Sequence, residues 1–463
     1  IAADEGVMPQ TREHLDICKL LGVRHGLVAL TKVDMVDDPE WIDMVSQEIA
    51  AELADTFLAD CPILPLSARK GQGLDELRAT LEKMGRGLPE RLDSGLAYLA
   101  IDRAFSKKGF GTVVTGTLVS GSLKLEDEVD VLPDPTRKLR QLKVRGLQSH
   151  GQHLEQASAG QRLAVNLSGV ERQVLHRGQV LVGAGSLDSG FWIEGDLQVL
   201  AGAKAIRDRA TMTLHTGTAK TQARIQLIDS DKLLPGNRGL VRIRLEDRLA
   251  LLPGQRYLLR GTIPIKGRGT TVAGGQIRVI FPPRRRKKDR EAWVAELNSL
   301  AHGDSQAALL AALRHAGPKG ADLAQLGMRS GHARRQVEQG LESLLQSRQV
   351  FKFDKERGRY LSAQVLDEMA KRAEESLQAF HRAQAMLPGM PTEQLRSSLQ
   401  PKPEPRIFRL LLQEMAKQKR IVSEQEHTRL IHHKVTLGEG DSAIGAKVLD
   451  RYRCAGLKPP RLA

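Results

Sequence analysis

"LVALTKVDMVDD", Leu27–Asp38, decides how this chain is read. An apolar run of strand length stops abruptly at Thr31-Lys32-Val33-Asp34. This is the pattern of a buried strand whose carboxyl end delivers a polar loop, and open α/β sheets bind ligands at such ends. Guanine presents its N1–H and exocyclic amino group side by side. One carboxylate accepts both bonds, adenine offers no such pair, and Asp34 has this geometry available. Lys32 can lay its stem along the base, and Thr31 can tie the loop to its neighbours. A second apolar run, "ILPL" at Ile63–Leu66, leads into "SARKGQG". There the backbone N–H of Ala68, between Ser67 and Arg69, can donate to guanine O6. TKVD alone is also explained by a surface loop with a helix-capping Asp. TKVD after a strand, followed by strand-SAR-helix, is a much more specific signal.

On either side of this stretch the pattern is α/β. "TREHLDICKLLG" has apolar residues at helical spacing and ends on Gly22, and "LDELRATLEKM" is helical after the SAR loop. Short apolar strands alternating with helices predict a parallel sheet over residues 1–90. No G-x-x-x-x-G-K-[ST] occurs anywhere in the chain. "KKGFGTVVTG", Lys107–Gly116, is glycine-rich but opens a strand, so no helix N-terminus faces a phosphate there. Hydrolysis needs a phosphate loop, a Mg²⁺ ligand and a water-positioning group. None is identifiable, so no catalytic residue is assigned. The phosphate-binding half and the Mg²⁺ ligands are expected upstream of Ile1. By itself the chain is expected to bind GTP weakly or not at all, without turnover.

From Gly95 to about Ile280 the signature changes to short strands punctuated by glycine, including "GTVVTGTLVSG", "GQRLAVNLSG" and "GLVRIRL". Almost no helical pattern intervenes, which predicts two antiparallel β-barrels, 91–187 and 188–283. "PPRRRKKDR", Pro282–Arg290, cannot bury itself and predicts a solvated basic linker over 284–300, as a charged hinge or an RNA contact. Beyond it, helices followed by two short strands around "DKERG" predict a winged helix over 301–364, with a second over 365–436. Residues 437–463 read as a linker and the opening of a third, in "AGLKPPRLA". The fold class is therefore multidomain: a partial α/β P-loop-type GTPase domain, two antiparallel barrels, then winged-helix repeats. Arg334 and Arg335 lie on a helix that can face RNA or solvent. His427, His432 and His433 read as surface residues near a wing.

The 463 residues carry 70 Lys and Arg against 55 Asp and Glu, a formal charge of +15. That favours a polyanionic partner such as nucleic acid. Aromatics are 3%, which argues against broad base-stacking surfaces. Cys18, Cys61 and Cys454 are odd in number and far apart, without metal-ligand spacing, which points to a reducing cytosol and a cytoplasmic protein. No apolar run is long enough to span a membrane.

"AADEGVMPQTREHL", Ala2–Leu15, together with TKVD and SAR, resembles translational GTPases of the elongation factor Tu type. "AIDRAFSKKGFGTVVTGTLVSG" resembles the start of their second domain and "LHTGTAKTQARIQLI" their third. A bacterial member with a winged-helix tail resembles the selenocysteine-specific elongation factors. The resemblance implies GTP with Mg²⁺, selenocysteyl-tRNA, the ribosome at a recoded UGA codon, and an mRNA hairpin held by the last winged helices, mostly missing here. Thr31 replaces the commoner asparagine of the family's guanine motif.

In "YLAIDRAF", strand alternation puts Leu99, Ile101, Arg103 and Phe105 on one face. A cation on an apolar face needs an anionic partner. The residues alone allow either an internal ion pair, with an acid such as Glu155, or an anion pocket. The resemblance implies the pocket. Asp102, Arg103 and Arg162 match the family's selenocysteyl site, where a selenolate, ionised at neutral pH, would be held and a seryl group rejected. Asp102 and Arg103 are neighbours, so both can line a pocket only at a strand end or a bulge. Two other functions stay open: a non-catalytic winged-helix nucleic-acid adaptor, and a translational-type GTPase with different cargo.

Overall fold

The computed structural model describes residues 1–88, 96–107, 111–285, 289–301, 305–332, 334–424, 426–433 and 439–455. Strands Val28–Leu30 and Ile63–Pro65 pair in parallel, Val28 opposite Ile63. Helices Pro9–Leu20, Pro39–Leu53 and Leu74–Arg86 accompany them. Asp38 starts the second helix by accepting a hydrogen bond from the Glu40 N–H at 2.9 Å, and Pro39 follows at its first position. Val45, Ile49 and Leu53, spaced at four, form the buried stripe that packs with Val28, Leu30 and Val33.

Six antiparallel strands form the first barrel: Tyr98–Lys107, Gly111–Ser120, Glu128–Leu132, Leu142–Ser149, Arg162–Leu167 and Val180–Gly183. The ring closes where Arg162–Leu167 pairs with both Gly111–Ser120 and Leu142–Ser149. Leu99, Ile101, Val114, Leu118, Val129 and Leu163 belong to its core. The second barrel is also closed, from Gly190–Val199, Thr211–Thr216, Ala219–Leu227, Arg238–Leu249, Arg256–Ile265 and Gly269–Ile280. Strand Ala219–Leu227 shows how alternation builds it. Thr221, Ala223, Ile225 and Leu227 face in, while Lys220, Gln222, Arg224 and Gln226 face out.

The expectation of a solvated linker over 284–300 is corrected. Arg285 is largely buried and pairs with Glu194 at 3.1 Å and Glu296 at 2.7 Å, while Arg242 reaches the same Glu194 at 3.4 Å. A fully buried glutamate holds these cations inward. Helix Arg290–Ala301 then lays Trp293 and Leu297 on Ile228, Leu240 and Val279 of the second barrel. Positions 286–288 of the basic run lie outside the described residues.

The chain forms two compact units, one of Ile1–Ala311 with Ala324–Gly340, the other of Ala312–Leu323 with the chain from Leu341 onward. In the second, hairpin Val350–Asp354/Arg359–Ser362 pairs with a short strand at Ala321–Asp322. The pattern recurs in helices Ala363–Ala383, Thr392–Ser398 and Pro405–Lys417 and hairpin Ile421–Glu424/His427–Leu430. Of the three histidines read as surface residues, His427 and His432 are exposed. His433 instead stacks on the buried His381, ring centroids 3.7 Å apart. Residues Glu439–Ala455 form a helix, and the expected third winged helix in "AGLKPPRLA" falls, after Ala455, outside the described residues. Among the described residues no helix is long and apolar enough to cross a membrane.

Candidate functional site

Two strand ends meet at the first site. Ile1–Ala3 runs beside the strand that precedes Thr31, and both the N–H and the hydroxyl of Thr31 donate to the Ile1 carbonyl, at 2.8 and 3.2 Å. Lys32 takes a left-handed backbone, φ 61°, and its ammonium reaches Asp4 at 3.2 Å and Glu5 at 3.5 Å. The Asp4 hydrogen bond, first among the causes, raises the Lys32 pKa. Asp34 sits on the one-turn helix Val33–Met35. A hydrogen bond from the buried Ser67 is the main cause that holds its carboxyl below the usual range. Ser67 in turn accepts from the Lys70 N–H at 3.1 Å and closes its loop by donating its N–H to Gln72 O at 3.0 Å. Gly73, at φ 74°, lets the chain turn into helix Leu74–Arg86, since a Cβ there would run into the Pro65 carbonyl. Ala68 and Arg69 are exposed, and the Ala68 N–H has no partner among the described residues. Thr31, Lys32, Asp34, Ser67, Ala68 and Arg69 thus come together on two adjoining loops. Their ionised carboxylate and free N–H suit a guanine edge.

The second site lies in the first barrel. A bulge interrupts strand Tyr98–Lys107: Ile101 is opposite Gly116, Arg103 is opposite Thr115, and Asp102 is the extra residue. Gly116 is needed there, because a Cβ would strike the Ala100 carbonyl. The bulge shifts the alternation by one. Leu99 and Ile101 are buried, whereas Arg103 and Phe105 are exposed, which corrects the expectation that all four share an apolar face. Asp102 accepts from Thr115 Oγ1 at 2.7 Å and pairs with Arg162 at 2.5 Å. Burial alone would raise the Asp102 pKa, but its bonds to Arg162 and Thr115 outweigh that and lower it. Glu155 is not the partner of either arginine. Arg103 has no ion-pair partner among the described residues. Asp102 neutralises Arg162, and the charge of Arg103 is left over.

A third set of residues carried no signal in the sequence. Helix Pro9–Leu20 faces the second barrel, where Arg260 meets Glu13 at 3.0 Å, and Arg268 meets Asp16 at 3.1 Å and Glu52 at 3.4 Å. Asp16, Glu52 and Arg268 border a polar cavity of about 740 Å³. Glu13 and Asp16 stand three apart on one helix and Glu52 lies on the next, while Arg260 is on a strand and Arg268 in the turn after it, far along the chain, so only the fold brings them together. The clasp ties the α/β part of the unit to the second barrel. Among the described residues no three acids, histidines or cysteines converge to hold a metal ion.

With this geometry in place, known proteins can be compared. The elongation factor Tu GTP-binding domain model matches residues 1–86, the elongation factor Tu domain 2 model 111–182, and the SelB winged-helix model 375–430. The selenocysteine-specific elongation factor of Desulfomicrobium baculatum is 36% identical over 461 residues, 99% of this chain and 71% of its own. That of Escherichia coli (strain K12) is 30% identical over 460 residues, 96% of this chain and 68% of its own. This chain belongs to the selenocysteine-specific elongation factor family. A crystal structure of a bacterial selenocysteine-specific elongation factor has the same fold, with a TM-score of 0.73 at 21% identity over 98% of this chain and 70% of that one. A selenocysteine-specific elongation factor is a GTP-binding translation factor, and this one is therefore a GTPase of the elongation factor Tu type. The two other readings the sequence left open, a winged-helix adaptor and a GTPase with different cargo, fall away.

Proposed function

We propose that this factor binds selenocysteyl-tRNA and delivers it, with GTP, to ribosomes paused at UGA codons in the cytoplasm. Asp34 would accept the two guanine N–H groups, the Ala68 N–H would donate to O6, and Lys32 would cover the base. GTP, with Mg²⁺ on its phosphates, supplies the hydrolysis that ends the delivery cycle. In the first barrel the three pocket residues divide the work. Thr115 and Arg162 fix Asp102, Asp102 cancels the charge of Arg162, and Arg103 holds the selenolate. The observation that carries this reading is the cation of Arg103, which has no ion-pair partner among the described residues, beside the Asp102–Arg162 pair. A seryl hydroxyl carries no charge and would leave that cation unmatched. The winged helices would turn toward an RNA hairpin in the message.

The test is Arg103→Ala in the full-length protein. Losing a charge-assisted hydrogen bond should cost roughly 1.5–3 kcal/mol of the preference for selenocysteyl- over seryl-tRNA, with GTP affinity unchanged. Unchanged discrimination in the variant would sink the pocket assignment.

A further inference from the structure

One acid beside the guanine loops has no role in holding the edge of the base. Asp4 stands on the turn Ala2–Gly6, closed by bonds from the Glu5 and Gly6 N–H groups to the Ala2 carbonyl, at 3.2 and 3.0 Å. This turn is pinned to the strand end at Thr31. The Thr31 N–H donates to the Ile1 carbonyl and the Ala3 N–H to the Thr31 carbonyl, both at 2.8 Å. The indole N–H of Trp41 donates to the Ala3 carbonyl at 2.9 Å, and Ala3 is fully buried. The backbone that carries Asp4 is therefore fixed on both sides by the protein itself.

Lys32 meets that acid from the neighbouring loop. Its φ of 61° lies in the left-handed region, which is costly for a residue with a Cβ and persists only where surrounding contacts impose it. Its ammonium lies 3.2 and 3.3 Å from the two Asp4 carboxylate oxygens and 3.5 Å from Glu5. Glu5 is the farther and the more exposed of the two acids, so Asp4 is the principal anchor. An exposed ion pair between two long side chains is worth little, because holding both costs entropy. Here one partner is a short side chain on a pinned turn, so the lysine alone has to be ordered. A stem held at both its Cα and its ammonium can cover a base as a fixed surface. A stem held only at its Cα moves among many rotamers.

We propose that Asp4 is a positioning residue for nucleotide binding, anchoring the Lys32 ammonium so that the lysine stem lies over one face of the guanine base. This rests on Asp34, Ala68 and Lys32 forming the guanine site, and adds to them a residue from outside both loops. Asp34 and the Ala68 N–H meet the edge of the base, whereas the Lys32 stem covers its face. Asp4 therefore acts on affinity, through Lys32, and not on the choice between purines that share that face.

The test is calorimetric titration of GTP and ITP into the full-length protein and its variants at low salt. ITP lacks the exocyclic amino group that Asp34 would accept from, but keeps the same ring face. Asp4→Asn, which keeps the shape and removes the charge, should weaken both nucleotides about threefold and leave the GTP-to-ITP ratio unchanged. Asp4→Glu should recover most of the loss, and at high salt the difference between Asp4→Asn and the parent should vanish. In a Lys32→Met background, which keeps a stem without a charge, Asp4→Asn should cost nothing further. The proposal is overturned if Asp4→Asn binds GTP like the parent at low salt. It is also overturned if Asp4→Asn costs as much in the Lys32→Met background, since Asp4 would then be merely structural. Equal affinity of the parent for GTP and ITP would instead overturn the role of Asp34, and with it the site on which the proposal rests.

Discussion

The two barrels are built alike and charged differently. Each is a closed ring of six strands, and each uses an irregularity in a strand to turn a residue out of the expected alternation. In the first barrel the residue turned out is Asp102, an acid, which pairs with Arg162, while Arg103 has no ion-pair partner among the described residues. In the second barrel the irregular start of a strand exposes two aromatics beside Arg224 and Arg244, neither of which has an ion-pair partner among the described residues. The difference teaches what a balanced and an unbalanced cluster are suited to. A nearly neutral cluster with one spare charge is preorganised for one small anion. A row of unmatched arginines is stabilised only when a polyanion lies along it.

The largest way to break this comparison is to remove the space for the first bulge. Gly116→Ala drives a methyl group into the Ala100 carbonyl, so the barrel should lose about 3 kcal/mol or more, read as an early calorimetric transition. An unshifted transition would mean that the strand accommodates a side chain and that the bulge is not imposed by Gly116. A smaller change sharpens the comparison. Thr115→Val removes the hydroxyl that fixes Asp102, and should cost about 1 kcal/mol of discrimination between selenocysteyl- and seryl-tRNA without changing GTP affinity. Full discrimination in this variant would show that Arg162 alone positions Asp102. The smallest effect belongs to the second barrel. Arg224→Gln relieves a like-charged pair, and in denaturant titrations without RNA the barrel should gain about 0.5 kcal/mol, less at high salt. A loss of stability would mean that Arg224 already has a compensating partner.

What could be read from the sequence follows from how local each signal was. The two loops proposed to hold guanine are made of backbone turns and side chains within two short stretches, so TKVD and SAR carried their own geometry. The strands of both barrels were visible as alternation. Alternation misplaced Arg103, because a bulge adds one residue without changing the apolar pattern, and nothing in "YLAIDRAF" marks where the phase slips. Composition misled at Arg285, where five consecutive basic residues read as solvated although Glu194 and Glu296 draw one of them inward. The clasp of Glu13 and Asp16 with Arg260 and Arg268 joins residues far apart in the chain, and no spacing rule connects them. "GFW" beside a strand with alternating arginines was a readable cue for the exposed Phe191 and Trp192. The low overall aromatic content, averaged over the chain, hid it.

The proposed pocket of the first barrel would read the charge of the side chain and not its size. Cysteinyl-tRNA tests it most directly, because its thiol has nearly the shape of the selenol but ionises near pH ~8.5. Binding of cysteinyl- and seryl-tRNA to the full-length protein would be measured across that range. Cysteinyl-tRNA is expected to gain affinity as the pH rises through the thiol pKa, seryl-tRNA is not, and Arg103→Ala should abolish the gain. A cysteinyl affinity that stays flat with pH would contradict it.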